Sequence, residues 1–198
     1  MVIRSEQKAA TRERILEVAR AHLERDGFEA TNIRAIAAEA GVAHGTVLMH
    51  FEGKQALLHA ALFEDLERTW QAAKRHTKQR SLEAQLVALA KAFFDYYAAR
   101  PALSRALLRE SLFASPPWSE RFAAQIAEVH THVAELAGAA KERRELAPSA
   151  DVALLGASFF SFYYFALLAW LQGGHPDPLR LFRGMLAQHL VGLRIERS

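Results

Sequence analysis

Histidines and carboxylates are the side chains of this sequence whose spacing could support metal or catalytic chemistry. The chain has nine histidines and no cysteine, which excludes thiolate zinc sites, disulfides and cysteine nucleophiles. A carboxylate-bridged di-metal site on a helical bundle needs Glu-x-x-His pairs, and none of the histidines has an acidic residue three positions before it. Zinc-protease, serine-hydrolase and phosphate-loop motifs are also absent. We therefore predict no catalytic residue, no metal and no cofactor. An enzyme or metalloprotein on a helical bundle stays open as the chief alternative to the non-enzymatic function predicted below.

His130 and His132 are of a residue type that binds metals, but their spacing does not suit a shared metal ion. Residues two apart on a helix point to different faces, so the two imidazoles cannot hold one ion. We predict a solvated or capping role for both.

The elements that position these side chains are helices. Apolar residues recur at helical spacing in almost every long segment, and no alternating run with hairpin turns predicts a sheet. Thr11 is expected to cap a first helix that ends at Asp26-Gly27, and a second helix of about two turns follows Thr31-Asn32. The predicted fold class is all-α.

Residues 31 to 51 have the layout of a helix-turn-helix: a short bracing helix, a turn at Gly41, and a third helix from about His44 to Phe51. An isolated pattern of this kind is more often a pair of short core helices. The periodicity predicts a buried set of Ile36, Ala37, Ala40, Val42, Val47 and Phe51, and it leaves His44, Thr46, Leu48, Met49 and His50 facing outward.

The rest of the chain predicts a larger helical body. A long helix begins at Lys54 and becomes polar from Lys74 to Arg80, which we take as the boundary between head and body. The later helices are expected over Ser81 to Arg100, Pro101 to about Phe113, Trp118 to about Arg144, from Pro148-Ser149 to Gly173-Gly174, and from Asp177-Pro178 onward. The predicted domains are 1–54, a helix-turn-helix head; 55–80, a connecting helix; and 81–198, a larger helical body.

The segment Val152 to Leu171 raises the question of a membrane because it has no charged residue and is as long as a bilayer is thick. Gly156, Ser158 and Ser161 dilute its hydrophobicity, so a buried central helix is the preferred interpretation and we expect no membrane partner. The final helix carries an apolar stripe of Leu179, Phe182, Met185, Leu186, His189, Leu190 and Leu193, with Arg180, Arg183 and Arg194 at its margins. These last two helices offer more apolar surface than one subunit covers, which predicts a homodimer.

Net charge does not identify the partner. The whole chain has a formal charge of +3. Residues 1 to 54 contain eight basic and eight acidic residues, so the predicted head is neutral by count. The absence of cysteine and of a secretory signal predicts a cytoplasmic protein.

The N-terminal quarter resembles the DNA-binding region of TetR-family regulators. The resemblance lies in ILEVA in the first helix, GFEAT before the bracing helix, IAAEAGV at the turn, GT in the third helix, and HFEGKQALL leading into the fourth. It implies double-stranded operator DNA as a partner, a repressor that a small-molecule effector releases from DNA, and no enzymatic activity.

Carried over position by position, the resemblance implies a set of DNA contacts. Thr31 and Asn32 are expected near a phosphate at the start of the bracing helix, Arg34 near the backbone or a base, and Lys54 at a phosphate. Backbone amides at helix starts attract anions even in a neutral head. From the recognition helix, Thr46 and His50 would contact DNA.

The recognition helix departs from the usual family pattern at Ala43, His44, Leu48 and Met49, where hydroxyl, basic or aromatic residues are common. It is therefore poor in hydrogen-bond donors. Our hypothesis is apolar contact of Ala43, Leu48 and Met49 with thymine methyl groups, with polar contacts from Thr46 and His44. A dimerisation or adaptor module without DNA binding is a further alternative, and so is pH sensing by His44 and His50.

Aromatic residues crowd the second half of the chain, and most are expected to be core. A mostly apolar effector pocket needs a few polar groups, and we expect Tyr97, Trp118, Tyr163 or Tyr164 to supply them. Phe122 is also expected among the ligand-binding residues. Since no charged residue lies between Val152 and Leu171, a hydrophobic or amphipathic effector is expected.

Overall fold

A computed structural model describes residues 2–76, 81–111 and 114–193. These residues form helices and contain no strand, so the all-α prediction is confirmed. The helices are α1 (Val2–Ala30), α2 (Ile33–Glu39), α3 (His44–His50), α4 (Lys54–His76), α5 (Leu82–Ala99), α6 (Pro101–Ser111), α7 (Trp118–Glu142), α8 (Val152–Leu171) and α9 (Pro178–Val191). The predicted ends at Phe113 and Arg80, and the margin residue Arg194, lie outside the described residues.

The chain divides into two compact units, the first of which comprises Met1–Leu66 and Ala99–Ser119. In this unit α1 packs against α2, α3 and α6. A buried ion pair joins α1 to α4: Nε of Arg20 donates to Oδ2 of Asp65 at 3.0 Å, and both side chains are almost fully covered. The backbone N–H of Leu103 in α6 donates to Glu24 of α1 at 2.9 Å. Charged groups thus fix how α4 and α6 lie on α1.

The second unit comprises Glu67–Ala98 and Glu120–Ser198, and its core is aromatic. Phe159 and Phe182 are buried where α8 packs on α9, with their ring centroids 5.4 Å apart. At Gly156 a Cβ atom would lie only 3.1 Å from the carbonyl oxygen of His130, so α7 and α8 approach closely at that glycine. The division between the units falls inside α4 and α7 and before the last residue of α5. The predicted domain boundaries at residues 54 and 80 stay predictions.

Two predicted helix starts are wrong. α1 begins at Val2 and runs through Thr11 without a cap, because residues 5 to 10 include good helix formers and no breaker. α8 begins after Asp151, whose carboxylate accepts the N–H groups of Ala153 and Leu154, and not at Pro148-Ser149. The predicted break at Gly27 is confirmed, since its φ of 75° and ψ of 171° interrupt α1. The cap by Asp177 is confirmed as well.

The expectation that α8 is covered on every side is also wrong for the single chain. α8 has a mean hydropathy of 1.8 and is one described helix that could span a membrane by length and composition, yet only a third of it is buried. Leu154 and Phe165 are 59% and 57% exposed. Because the helix is apolar all round, its sequence carried no signal for which face the chain leaves uncovered.

Candidate nucleic-acid interface

The helix-turn-helix is built on a small apolar core. Val47 is the one fully buried residue of α3, and it packs in a cluster with Ile36 and Ala37 of α2 and with residues of α1 and α4. Five of the six residues predicted to be buried are buried, and Val42 is partly covered against the same cluster. Val47 thus anchors the seven-residue α3 on its inner face and leaves the outer face free.

The turn between α2 and α3 depends on Gly41, whose φ of 64° lies in the left-handed region. Asn32 caps α2 by accepting the N–H of Arg34 at 2.8 Å. His22 of α1 is buried, and its Nε2 lies 2.8 Å from the carboxylate of Glu39 at the end of α2. Both ends of the bracing helix are therefore fixed by polar contacts.

The outward face of α3 is apolar. Met49 is 81% exposed and Leu48 is 44% exposed, which is unusual for large apolar side chains. Ala43 and His44 are exposed as well, whereas Thr46 and His50 are half-buried. The structure thus brings all six predicted recognition-helix residues onto α3 or its N-cap, with different degrees of access.

The predicted contacts outside α3 differ in how accessible they are. Arg34 and Asn32 are exposed at the start of α2. Lys54 begins α4; its ammonium donates to the carbonyl of Glu29 at 2.8 Å and lies 4.6 Å from the ring centroid of Phe28. Thr31 is only 5% exposed and donates its hydroxyl to the carbonyl of Gly27, so its side chain points into the fold and not toward a ligand.

His50 lies in an environment that disfavours a positive charge. Partial burial, and then the charges of Lys8 and Arg12, lower the pKa of its imidazole from the ordinary value of 6.5. The guanidinium of Arg12 also lies 5.1 Å from the ring centroid of Phe51, the residue that follows α3. The neutral form of the His50 imidazole is therefore favoured.

The predicted effector residues are divided between the two units. Tyr97 and Tyr163 are buried in the second unit and share a hydrogen bond, and burial raises the pKa of both hydroxyls. Tyr164 and Phe122 belong to the same unit. Trp118 belongs to the first unit, where its ring stacks on those of His59 and Phe63 at centroid distances of 5.3 and 5.4 Å.

His130 and His132 were predicted to be solvated or capping, and that prediction is wrong. The ring of His130 meets Phe160 edge to face, and that of His132 meets Trp70 in the same way. The Nε2 atom of each is fully buried without a hydrogen-bond partner among the described residues, as is the hydroxyl oxygen of Tyr164. Helical spacing gave the two faces correctly but not the neighbours that cover them, which come from other helices.

Comparisons with known proteins agree with this arrangement. The sequence profile of the family described as bacterial regulatory proteins, tetR family, matches residues 15–61. The HTH-type transcriptional repressor Rv1474c of Mycobacterium tuberculosis is 31% identical over 173 residues, which cover 87% of this chain and 88% of that protein.

Solved structures share the fold over nearly the whole chain. A TetR transcription regulator from Haloarcula marismortui superposes with a TM-score of 0.79 at 20% identity, covering 93% of this chain and 98% of that one. The regulator FadR from Bacillus subtilis, solved in complex with stearoyl-CoA, superposes with a TM-score of 0.73 at 17% identity, covering 92% of this chain and 99% of that one. Together with the helix-turn-helix geometry and the M. tuberculosis relative, these likenesses establish that the chain belongs to the TetR family of bacterial transcriptional regulators.

Proposed function

We propose that the protein is a cytoplasmic, homodimeric repressor that binds double-stranded operator DNA and is released by a small hydrophobic or amphipathic effector. The observation that carries the proposal is α3: an exposed short helix, held by Val47 after the glycine turn, which is the form of a recognition helix. The repressor role is supported by the M. tuberculosis relative, which is named a repressor.

The proposed DNA contacts divide into two kinds. Arg34 and Lys54 would position the head on phosphates; the ammonium of Lys54 has three donors, so its bond to Glu29 leaves others for DNA. The residues that face the bases would be Ala43, His44, Thr46, Leu48, Met49 and His50, with Asn32 at the edge of the surface. We leave Thr31 out because its side chain is buried and bonded.

Dimerisation is proposed through α8 and α9. Among the described residues, the large exposed apolar side chains lie only on α3, on α8 (Leu154 and Phe165) and on α9 (Val191). The exposed face of α8 repeats at helical spacing through Leu154, Ala157, Ser161 and Phe165. This face combines the small polar Ser161 with the apolar Leu154 and Phe165, a composition that suits a second protein copy better than lipid. A twofold pair would present two recognition helices one turn of DNA apart.

The dimer proposal is tested by the mass of the protein in solution. Phe165→Glu is expected to convert the dimer to monomer in size-exclusion chromatography with light scattering, because it places a charge in a desolvated contact. Lys91→Glu, a charge reversal at an exposed position of α5, is the matched control and should leave the mass unchanged. A wild-type chain that is monomeric at micromolar concentration would contradict the proposal.

The second unit supports the proposed chemistry of the effector. Its described residues bury no Lys, Arg, Asp or Glu, whereas the side chains of His130, His132 and Tyr164 bury polar atoms that lack partners. Burial favours the protonated hydroxyl of Tyr164 by raising its pKa, so this group would act as a donor. We infer an effector whose buried part is uncharged and apolar, with one or two hydrogen-bonding groups.

The experiment that tests the function is selection of genomic fragments that the purified protein binds, followed by gel shift on the enriched sites. We expect a twofold-symmetric site whose half-sites are about ten base pairs apart. Addition of stearoyl-CoA, the ligand bound in the B. subtilis FadR structure, tests one amphipathic effector, and compounds acted on by the target genes test others. A folded dimer that enriches no DNA would instead favour the adaptor alternative.

A further inference from the structure

The outward surface of α3, which we define as Ala43, His44, Leu48 and Met49, lacks the side chains that usually read base edges. Arginine and lysine bond guanine, asparagine and glutamine bond adenine, and acidic residues accept from cytosine. Residues 43 to 50 contain none of these six types. Base recognition by this surface must therefore depend on something other than bidentate hydrogen bonds.

The geometry of α3 exposes its two large apolar side chains. His44 and Leu48 are four residues apart and share one column of the helix, while Gly45 and Met49 share the next. Gly45 has no side chain, and a Cβ at its position would have no neighbour within 4 Å, so nothing on that column screens Met49. Val47, which faces inward, fixes the rotation of the helix.

Exposed apolar side chains have one matching group in the major groove. The 5-methyl of thymine is the apolar feature on the groove edges of the four bases, and its contact with a thioether or isobutyl group removes apolar surface from water on both sides. Methionine is unbranched and polarizable, so it adapts to a methyl group more easily than a β-branched residue does.

We propose that α3 selects its operator chiefly by apolar contact of Leu48 and Met49 with thymine methyl groups, so that each half-site carries thymines at the steps facing these two residues. This inference rests on the proposed function, because it needs the second helix of the motif to lie in the major groove. His44 and Thr46 supply the remaining polar contacts.

The test replaces thymine by deoxyuridine in the selected operator, one position at a time. Deoxyuridine pairs with adenine in the same way and lacks only the 5-methyl group, so any effect reports that group alone. Removing a contacted methyl is expected to weaken binding about threefold to fivefold, the effect of one buried methyl group. Replacements at thymines outside the half-sites are the DNA control.

Variants of the two side chains identify which residue each methyl touches. In Met49→Ala, deoxyuridine at the step facing Met49 should cause no further loss of affinity, while binding still depends on the methyl group at the step facing Leu48. Leu48→Ala should show the reverse. The conservative variants Met49→Leu and Leu48→Met should retain the methyl dependence. Circular dichroism of each variant checks that it is folded.

The outcomes separate this inference from the proposed function. Specific operators that tolerate deoxyuridine at every half-site step, or that lack thymine there, would overturn the methyl readout and leave a DNA-binding repressor. Failure of the folded dimer to select any DNA would overturn both. If Met49→Ala removes the methyl dependence at one step and Leu48→Ala removes it at another, both the methyl readout and the proposed function are supported.

Discussion

The first unit buries charged and titratable groups, and the second buries almost only neutral ones. Arg20, Asp65, His22 and His59 are buried in the unit that carries the helix-turn-helix, whereas the described core of the other unit is aliphatic and aromatic. Directional ion pairs specify one arrangement of helices, because a partner displaced by an ångström leaves a charge buried and unpaired. Aromatic packing is less directional and accommodates a guest more easily.

This contrast suits the two proposed tasks. A recognition helix must keep its register against the bases, so the helices that support it are held by bonds of fixed length, such as Arg20–Asp65 at 2.8 to 3.0 Å. A sensing unit must change when an effector binds, and it can do so only if the effector favours one of two packings. Buried polar atoms without partners, as in His130 and Tyr164, are the groups that a ligand can satisfy.

The largest expected effect is that of removing the buried carboxylate. Asp65→Ala should lower the free energy of unfolding by about 3–5 kcal/mol, because the guanidinium of Arg20 would stay buried without its main partner. Urea denaturation followed by circular dichroism measures it. Asp95→Ala breaks an exposed ion pair with Lys91 and is the matched control, with an expected cost of at most about 1 kcal/mol. Equal costs for the two variants would remove the basis of the contrast.

The glycine turn should give the next largest effect. Gly41→Ala forces a side chain into the left-handed region and should cost about 1–3 kcal/mol. Gly45→Ala is the opposite case, because this glycine is helical with open space around its α-carbon, and alanine should stabilise the protein by about 0.5–1 kcal/mol. Thermal denaturation of both variants compares them. Stabilisation by Gly41→Ala would mean that the turn differs from the one described.

Two adjacent tyrosines sharpen the description of the second unit. Tyr163→Phe breaks the hydrogen bond with Tyr97 and should cost about 1 kcal/mol. Tyr164→Phe removes a buried hydroxyl that has no hydrogen-bond partner among the described residues, so stability should be unchanged or higher, while a higher effector concentration should be needed to release DNA. Denaturation and effector titration are the two measurements. A clear loss of stability in Tyr164→Phe would show that its hydroxyl has a structural partner.

The smallest expected effect concerns pH. The pKa of His50 is lowered in the folded state, so the unfolded chain binds this proton more readily and acidification favours unfolding. The contribution of His50 to the free energy of unfolding is present above its ordinary pKa of 6.5 and is lost as the pH falls through the lowered pKa of the folded state. His50→Gln should therefore lose less stability between about pH 7.5 and 5.5 than the wild type does, as measured by urea denaturation. A steeper loss in the variant would contradict the sign.

The sequence predicted the head more closely than the body. Asn32, Gly41 and the residues facing Val47 are local signals, since caps, left-handed glycines and helical spacing act within a few residues. The body depends on contacts between distant helices. The neighbours of His130 and His132, and the uncovered face of α8, follow from tertiary packing that no local window contains. Trp118 was grouped with the effector residues because its type suited a pocket, although it packs on His59.

The central claim is that α3 enters the major groove twice per dimer, and the absence of cysteine allows it to be measured directly. Glu52→Cys, at an exposed position just after α3 that is not among the proposed DNA contacts, would carry the one thiol of the chain, to which an iron–EDTA cleavage reagent can be attached. On the selected operator, we expect two clusters of strand cleavage about ten base pairs apart, centred on the half-sites, and none on a shuffled sequence. Specific binding without cleavage, or a single cluster per bound dimer, would contradict it.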